Sequence, residues 1–390
     1  MPNCIKSLAL NRFIALMKKK VHYPNLNSLR FLAAFVVVIH HTEQLKSIKH
    51  LPNLWDNHSF VPLVGKLGVD LFFVLSGFLI TSLLVIEKAS PSGINVKNFI
   101  IRRILRIWPL YFIIVLSAFF IIPVFPAFQL GYAFESVKDH FLANIILYVL
   151  FLPHLQIIIL GPIAYAGHLW SIGIEEQFYL VWSSIVKKLS TTKLVNWIFA
   201  YIILYVTITA ILRYLLHIHY QPKAFKINYD FIIAIFDVLR FDCLLIGALF
   251  AVLNRNLKAH SIITNKTFQL FIYLTEVCLA AAGYWFHSFF WEIHAVLYGL
   301  IILNLVRLET SLINIDFKLF DYLGKISYGI YMYHFFVINL VITIFYKYHI
   351  QVLAYPVIYL LVIAVASFSY KYIETYFLKL KKSFSVISTG

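Results

Sequence analysis

Apolar stretches of about 18 residues or more recur along the whole of this 390-residue chain. Each is long enough to cross ~30 Å of hydrocarbon at about 1.5 Å per residue. A bilayer core offers no water to a backbone amide, so segments of this length and apolarity fold as helices. Composition agrees: 61% of residues are hydrophobic and 13% charged, against about 25% charged in a soluble domain. No polar connection is long enough to hold a soluble domain, so the sequence predicts one all-α integral membrane domain over residues 26–378. Residues 1–25 read as a basic cytoplasmic tail and 379–390 as a short cytoplasmic C-terminal tail. Lys18, Lys19 and Lys20 follow a weak apolar stretch with no small-residue cleavage site, so a cleavable signal peptide is not expected.

Eleven hydrophobic segments lie near 29–44, 67–86, 107–127, 141–160, 169–186, 194–216, 231–253, 267–287, 290–306, 326–346 and 353–373. If all eleven crossed, most Lys and Arg would face outward. If one of 141–160 and 169–186 enters and returns, 23 of the 33 Lys and Arg fall inside and seven outside, the distribution the positive-inside rule requires. Pro153, Gly161, Pro162 and Gly167 suit broken helices lining a cavity. The expected architecture is therefore about ten transmembrane helices plus a broken or re-entrant segment within 141–186, both termini cytoplasmic, in the cell (inner) membrane.

The net charge of +16 sits in short loops beside apolar spans, which excludes nucleic acid as its reason. Cys4, Cys243 and Cys278 stand singly with no CxxC, so neither a disulfide framework nor a metal site is expected.

Ionisable residues inside spans cost at least ~2.5–3.5 kcal/mol each and point to function or to paired structure. Arg30 and His41 are eleven residues apart, about 20° past three full turns and ~16 Å apart along the axis. His40 lies about 80° from the Arg30 direction, so helix geometry favours His41 as the residue lining whatever Arg30 lines. An arginine at a helix mouth suits a phosphate, and a histidine at depth suits proton transfer. The alternative is a snorkelling arginine and interfacial histidines. Asp70 falls near the outer end of the second span, within reach of orienting His41, while Ser76 and Gly77 suit close helix packing. Arg103 and Arg106 share a face at i, i+3, as do His168 and Glu175 at i, i+7; Glu176 points about 100° away. Asp237 and Arg240 read as an internal i, i+3 ion pair. His168, Ser76, Tyr179 and His334 are candidates for lining a cavity, His334 by itself being the more structural. His217 and His219 read as solvated.

Seven stretches in order, LNSLRFLAAFVVVIHH, GVDLFFVLSGFLIT, RRILRIWPLYF, HLWSIGIEEQFYLVW, RFDCLLIGALFA, ISYGIYMYHFF and SYKYIE, resemble the acyltransferase-3 family of integral membrane acyltransferases over nearly the whole chain. The departures are mild: SIGIEEQ replaces a more usual Ser-Leu-x-Val run, and IETYFLK lacks a common proline. The resemblance implies a ten-helix bundle that takes an acyl group, usually acetyl from cytoplasmic acetyl-CoA, to a hydroxyl of an extracytoplasmic or membrane-linked glycan. The family's arginine and histidine fall on Arg30 and His41, its paired arginines on Arg103 and Arg106, and its acidic motif on Glu175 and Glu176.

On that basis the expected partners are acyl-CoA as co-substrate, a carbohydrate or glycolipid acceptor and the bilayer, with no permanently bound cofactor. Arg30, Arg103 and Arg106 would hold the CoA phosphates. His41 would act as general base or carry the acyl group itself, with Glu175, Glu176 and Asp70 orienting the imidazole or holding sugar hydroxyls. The competing class is a proton-coupled sugar or lipid transporter using His41 and the glutamates as a relay. A haem-binding cytochrome lacks the facing histidine pairs it would need.

Overall fold

A computed structural model describes residues 22–130 (57 and 59 excepted), 137–218, 229–256, 261–283, 289–348, 350 and 353–385. The predicted N-terminal tail thus falls mostly outside the described residues, as do the side chain of His217 and all of His219. Among the described residues every regular element is helical and none is a strand.

The helices that build the interior are α1 (Leu26–Ile48), α2 (Phe60–Lys88) and α3 (Val96–Leu116), the last running on through a π turn and a 3₁₀ turn to Val124. Then come α4 (Phe141–Val149), α5 (Pro153–Leu160), α6 (Trp170–Lys188), α7 (Thr191–Ile218), α8 (Tyr229–Leu239) and α9 (Phe241–Asn256). The remainder comprises α10 (Lys266–Ala282), α11 (Phe290–Leu305), α12 (Lys318–Lys325), α13 (Ser327–Lys347), α14 (Ala354–Ser369) and α15 (Thr375–Lys381), with one four-residue turn before α10. Among the described residues five helices are long and apolar enough to cross a membrane: Phe60–Lys88, Val96–Val124, Thr191–Leu215, Ser327–Lys347 and Ala354–Phe384.

α2 is the central element, packed most extensively against α9 and α1. The approach to α9 depends on two glycines. A Cβ at Gly77 would run into the Leu244 carbonyl, and one at Gly247 into the Val74 carbonyl, so the backbones meet directly, the small-residue mode of membrane packing. α1 crosses α2 with similar intimacy at Gly65 and Gly68, where His40, Val36 and the Ala33 carbonyl occupy the space a side chain would need.

Two expected spans are broken. Residues 141–160 form α4 and α5, separated at Phe151 (φ 57°) and restarted by Pro153. Neither piece exceeds nine residues, about 14 Å of helix and too short to cross. The breakers visible in the sequence account for this interruption. The span at 231–253 is also broken, into α8 and α9, at Arg240 (φ 33°). No proline or glycine announces that break. The first break is the one expected within 141–186; a second difference, after that at Arg240, lies at the C-terminus, where residues from the expected tail continue α15 through Lys381 and a 3₁₀ turn to Phe384. The Phe384 carbonyl accepts a hydrogen bond from Arg102 Nη1 at 2.7 Å, fastening the segment to α3.

Candidate active site

α1 carries a histidine pair near one end and Arg30 near the other, and the two regions have different surroundings. His40 and His41 border a cavity of about 580 Å³, walled also by Gln44, Lys66, His168, Arg240, Trp291 and Tyr331. His40 is the packed member of the pair. It is buried, lies on Gly65 and faces the Val61 carbonyl through Nδ1 at 3.2 Å. His41 is only half-buried, and its Nδ1 lies 2.8 Å from Gln44 Oε1. An amide oxygen only accepts, so Nδ1 carries the hydrogen and Nε2 is left with its lone pair for the cavity.

Two further histidines close on this point from other helices. The His334 ring of α13 lies 5.0 Å from that of His41, and the His168 ring 4.9 Å from that of His334. His334 Nδ1 faces the Tyr331 carbonyl at 2.5 Å, leaving its buried Nε2 without a hydrogen-bond partner. Neither ring nitrogen of His168 meets a partner at hydrogen-bonding geometry. Buried polar atoms are nearly always satisfied, so the unsatisfied nitrogens of His168, which lines the cavity, and of His334 beside it leave this point of the interior short of polar partners among the described residues.

Asp70 does not reach His41. Its carboxylate pairs with Arg240, which the break between α8 and α9 turns into the interior and which also stacks on Trp291 at 3.6 Å. The expected local pair of Asp237 with Arg240 is likewise replaced: Asp237 pairs with Arg213 of α7 and gives Arg240 Nε only its backbone carbonyl, at 3.0 Å. A buried charge takes the partner that satisfies it best, not the nearest in sequence. Asp70 Oδ2 remains buried and unpartnered.

The glutamates stand at the arginine region instead. Glu175 accepts from Ser76 Oγ at 3.0 Å and from the Tyr179 hydroxyl at 2.5 Å, in the electrostatic field of Arg30 and Arg103. Glu176 accepts from the Trp108 indole N–H at 2.9 Å, and its other oxygen is buried and open. Two helical turns, roughly 10 Å, separate Glu175 from His168 along the chain. Among the described residues no carboxylate hydrogen-bonds His41; Gln44, one turn along α1, takes that place.

Arg103 lies over the Phe99 and Tyr179 rings at 5.5 and 5.8 Å, its Nε buried and open. Arg106 reaches Glu374 at 3.4 Å and the Lys325 carbonyl at 3.5 Å. Arg102, which no motif argument selected, is the structural member of the group, tied to Glu87 at 2.5 Å and to Phe384. Gln44 and Trp108 also lie outside the residues selected from the sequence. The helical arithmetic that selects His41 would have found Gln44 at i+3; nothing local singles out Trp108.

A family model described as an acyltransferase domain matches residues 23–371. The chain belongs to the acyltransferase-3 family. It is 28% identical over 386 residues to the putative O-acetyltransferase of Staphylococcus aureus strain COL, covering 93% of this chain and 58% of that protein. It is 30% identical over 172 residues to the peptidoglycan O-acetyltransferase OatA of Listeria monocytogenes, 43% of this chain and 25% of that one. The chain thus spans less than two thirds of the length of these relatives. No solved structure matches it. The family assignment covers both the cavity with its histidines and the arginine region.

Proposed function

We propose that this acyltransferase-3 protein is a multi-pass cell-membrane O-acyltransferase. It moves an acetyl group from cytoplasmic acetyl-CoA to a hydroxyl of an extracytoplasmic or lipid-linked carbohydrate. The observation that carries this reading is the disposition of α1, with a cation-rich region around Arg30 and a histidine-lined cavity around His41, ~16 Å apart on one helix. A permease would leave the arginine cluster without a role; a donor with phosphates at one end and a thioester at the other uses both regions.

The phosphates rest at Arg30, Arg103 and Arg106, and the pantetheine arm follows α1 inward. Gln44 holds the Nδ1–H of His41, which presents Nε2 to the cavity. Nε2 takes the proton of the acceptor hydroxyl as its oxygen attacks the thioester carbonyl carbon. The C–S bond breaks, the sulfur leaves and recovers the proton from the imidazolium, and the products are an ester and free CoA. Asp70 and Arg240 neutralise each other at the cavity wall, leaving proton transfer to His41. In the bilayer we place ten crossings with both termini cytoplasmic, α4 and α5 together entering and returning.

Purified protein supplied with labelled acetyl-CoA should release CoA and transfer label, and His41→Ala should slow both by about 10²–10⁴-fold. Full activity in His41→Ala with loss in His40→Ala would overturn the assignment. A reporter fused at Lys193 should read as cytoplasmic, and an external reading would overturn the topology.

A further inference from the structure

The region around Arg30 contains more positive charge than its carboxylates answer. Arg102 has Glu87 and Arg106 has Glu374. Glu175 and Glu176 are engaged by hydroxyl and indole donors. Among the described residues no carboxylate lies within ion-pair distance of Arg30, Arg103 or Lys381.

Lys381 is the unexpected member. It sits at the end of α15, half-buried, in the electrostatic field of Arg30, Arg102, Arg103 and Arg106. Solvent would cost a free tail lysine nothing. Here the chain does the opposite. α15 packs along α3, the Arg102–Phe384 hydrogen bond pins the turn that follows, and the ammonium lies within the electrostatic reach of four arginines, of which Arg30 and Arg103 have no carboxylate at ion-pair distance among the described residues. Like charges brought together out of bulk water repel, so a polyanion at this point would stabilise the arrangement.

We propose that Lys381 is a phosphate ligand of the acyl-CoA site, and that the C-terminal segment Thr375–Phe384 forms one wall of that site. The proposal rests on the acyl-CoA reading above. The chemistry recognised is a compact polyphosphate: a pyrophosphate and a ribose phosphate supply several anionic oxygens to several cations at once, as arginine forks and a lysine point charge suit. Neither pantetheine nor the thioester carries charge, so neither would gain from Lys381.

The test compares full-length wild-type protein with Lys381→Met and Lys381→Arg, measuring binding of acetyl-CoA and of S-acetylpantetheine, which lacks every phosphate. Lys381→Met should weaken acetyl-CoA about tenfold or more, the scale of one lost charge-assisted hydrogen bond, and leave S-acetylpantetheine unchanged. Lys381→Arg should keep most of the affinity. The salt dependence of acetyl-CoA binding should also become shallower in the methionine variant. Equal weakening of both donors would make Lys381 a packing residue and overturn the proposal, as would unchanged acetyl-CoA affinity in Lys381→Met. Wild-type protein that binds no acetyl-CoA would overturn the donor reading itself, a result distinct from either.

Discussion

The region around Arg30 and the wall around Arg240 both hold arginine inside an apolar fold, and they treat it in opposite ways. Arg240 is fully answered: Asp70 takes its guanidinium, Trp291 covers its face and the Asp237 carbonyl takes its Nε. Arg30 and Arg103 have no carboxylate within ion-pair distance among the described residues, although Glu175 stands close enough to be felt. A satisfied cation is part of the frame, whereas one without a carboxylate partner is free to serve as the binding group proposed above. The His41 end follows the same logic with neutral groups, where ring nitrogens, not charges, are left open.

That contrast can be broken experimentally. The largest effect belongs to His41→Ala, which should cost about 10²–10⁴-fold in the rate of acetyl transfer, read as CoA release; a smaller loss would remove His41 from the chemistry. Next is Arg240→Met. It strands a buried Asp70 and should destabilise by about 3–5 kcal/mol, seen as a lower unfolding midpoint in detergent. Asp70→Asn combined with Arg240→Met should recover part of that loss, and a double variant no more stable than the single one would mean the pair is not a unit. Arg103→Gln should cost at most about 1–2 kcal/mol of stability, the scale of its ring contacts, and thus less than Arg240→Met, yet weaken acetyl-CoA by about tenfold or more. A large stability loss there would erase the distinction between the two arginine environments. The smallest effect is expected at Gln44. Gln44→Leu frees the ring to turn and should slow transfer several-fold at all pH values. Gln44→Glu keeps an acceptor for Nδ1 but adds a negative charge that favours the imidazolium, so activity should fail at a higher pH on the acid side than in wild type. Superimposable pH profiles for wild type and Gln44→Glu would show that Gln44 does not hold the ring.

What could be read from the sequence was what depends on a single helix. The shared face of Arg30 and His41, the i, i+3 arginines of α3 and the interruption near Pro153 are local arithmetic and local stereochemistry, as was the all-helical class. The partner of Arg240 was not legible. Asp237 lies three residues away and Asp70 lies 170, and the break at Arg240 that decides between them has no breaker residue. Glu175 and Glu176 were legible as costly, yet their neighbours Ser76, Trp108 and Arg103 come from other helices. The fastening of the C-terminal residues onto α3 through Arg102 and Phe384 spans 282 residues, a separation no periodicity crosses.

The seam where α2 meets α9 through Gly77 and Gly247 has a mechanical consequence. Two backbones in contact at a pair of reciprocal notches cannot slide past each other without first moving apart. A carrier that exposes its cargo alternately to two sides needs such sliding somewhere. A catalyst whose two substrates arrive from opposite sides of a stationary wall does not.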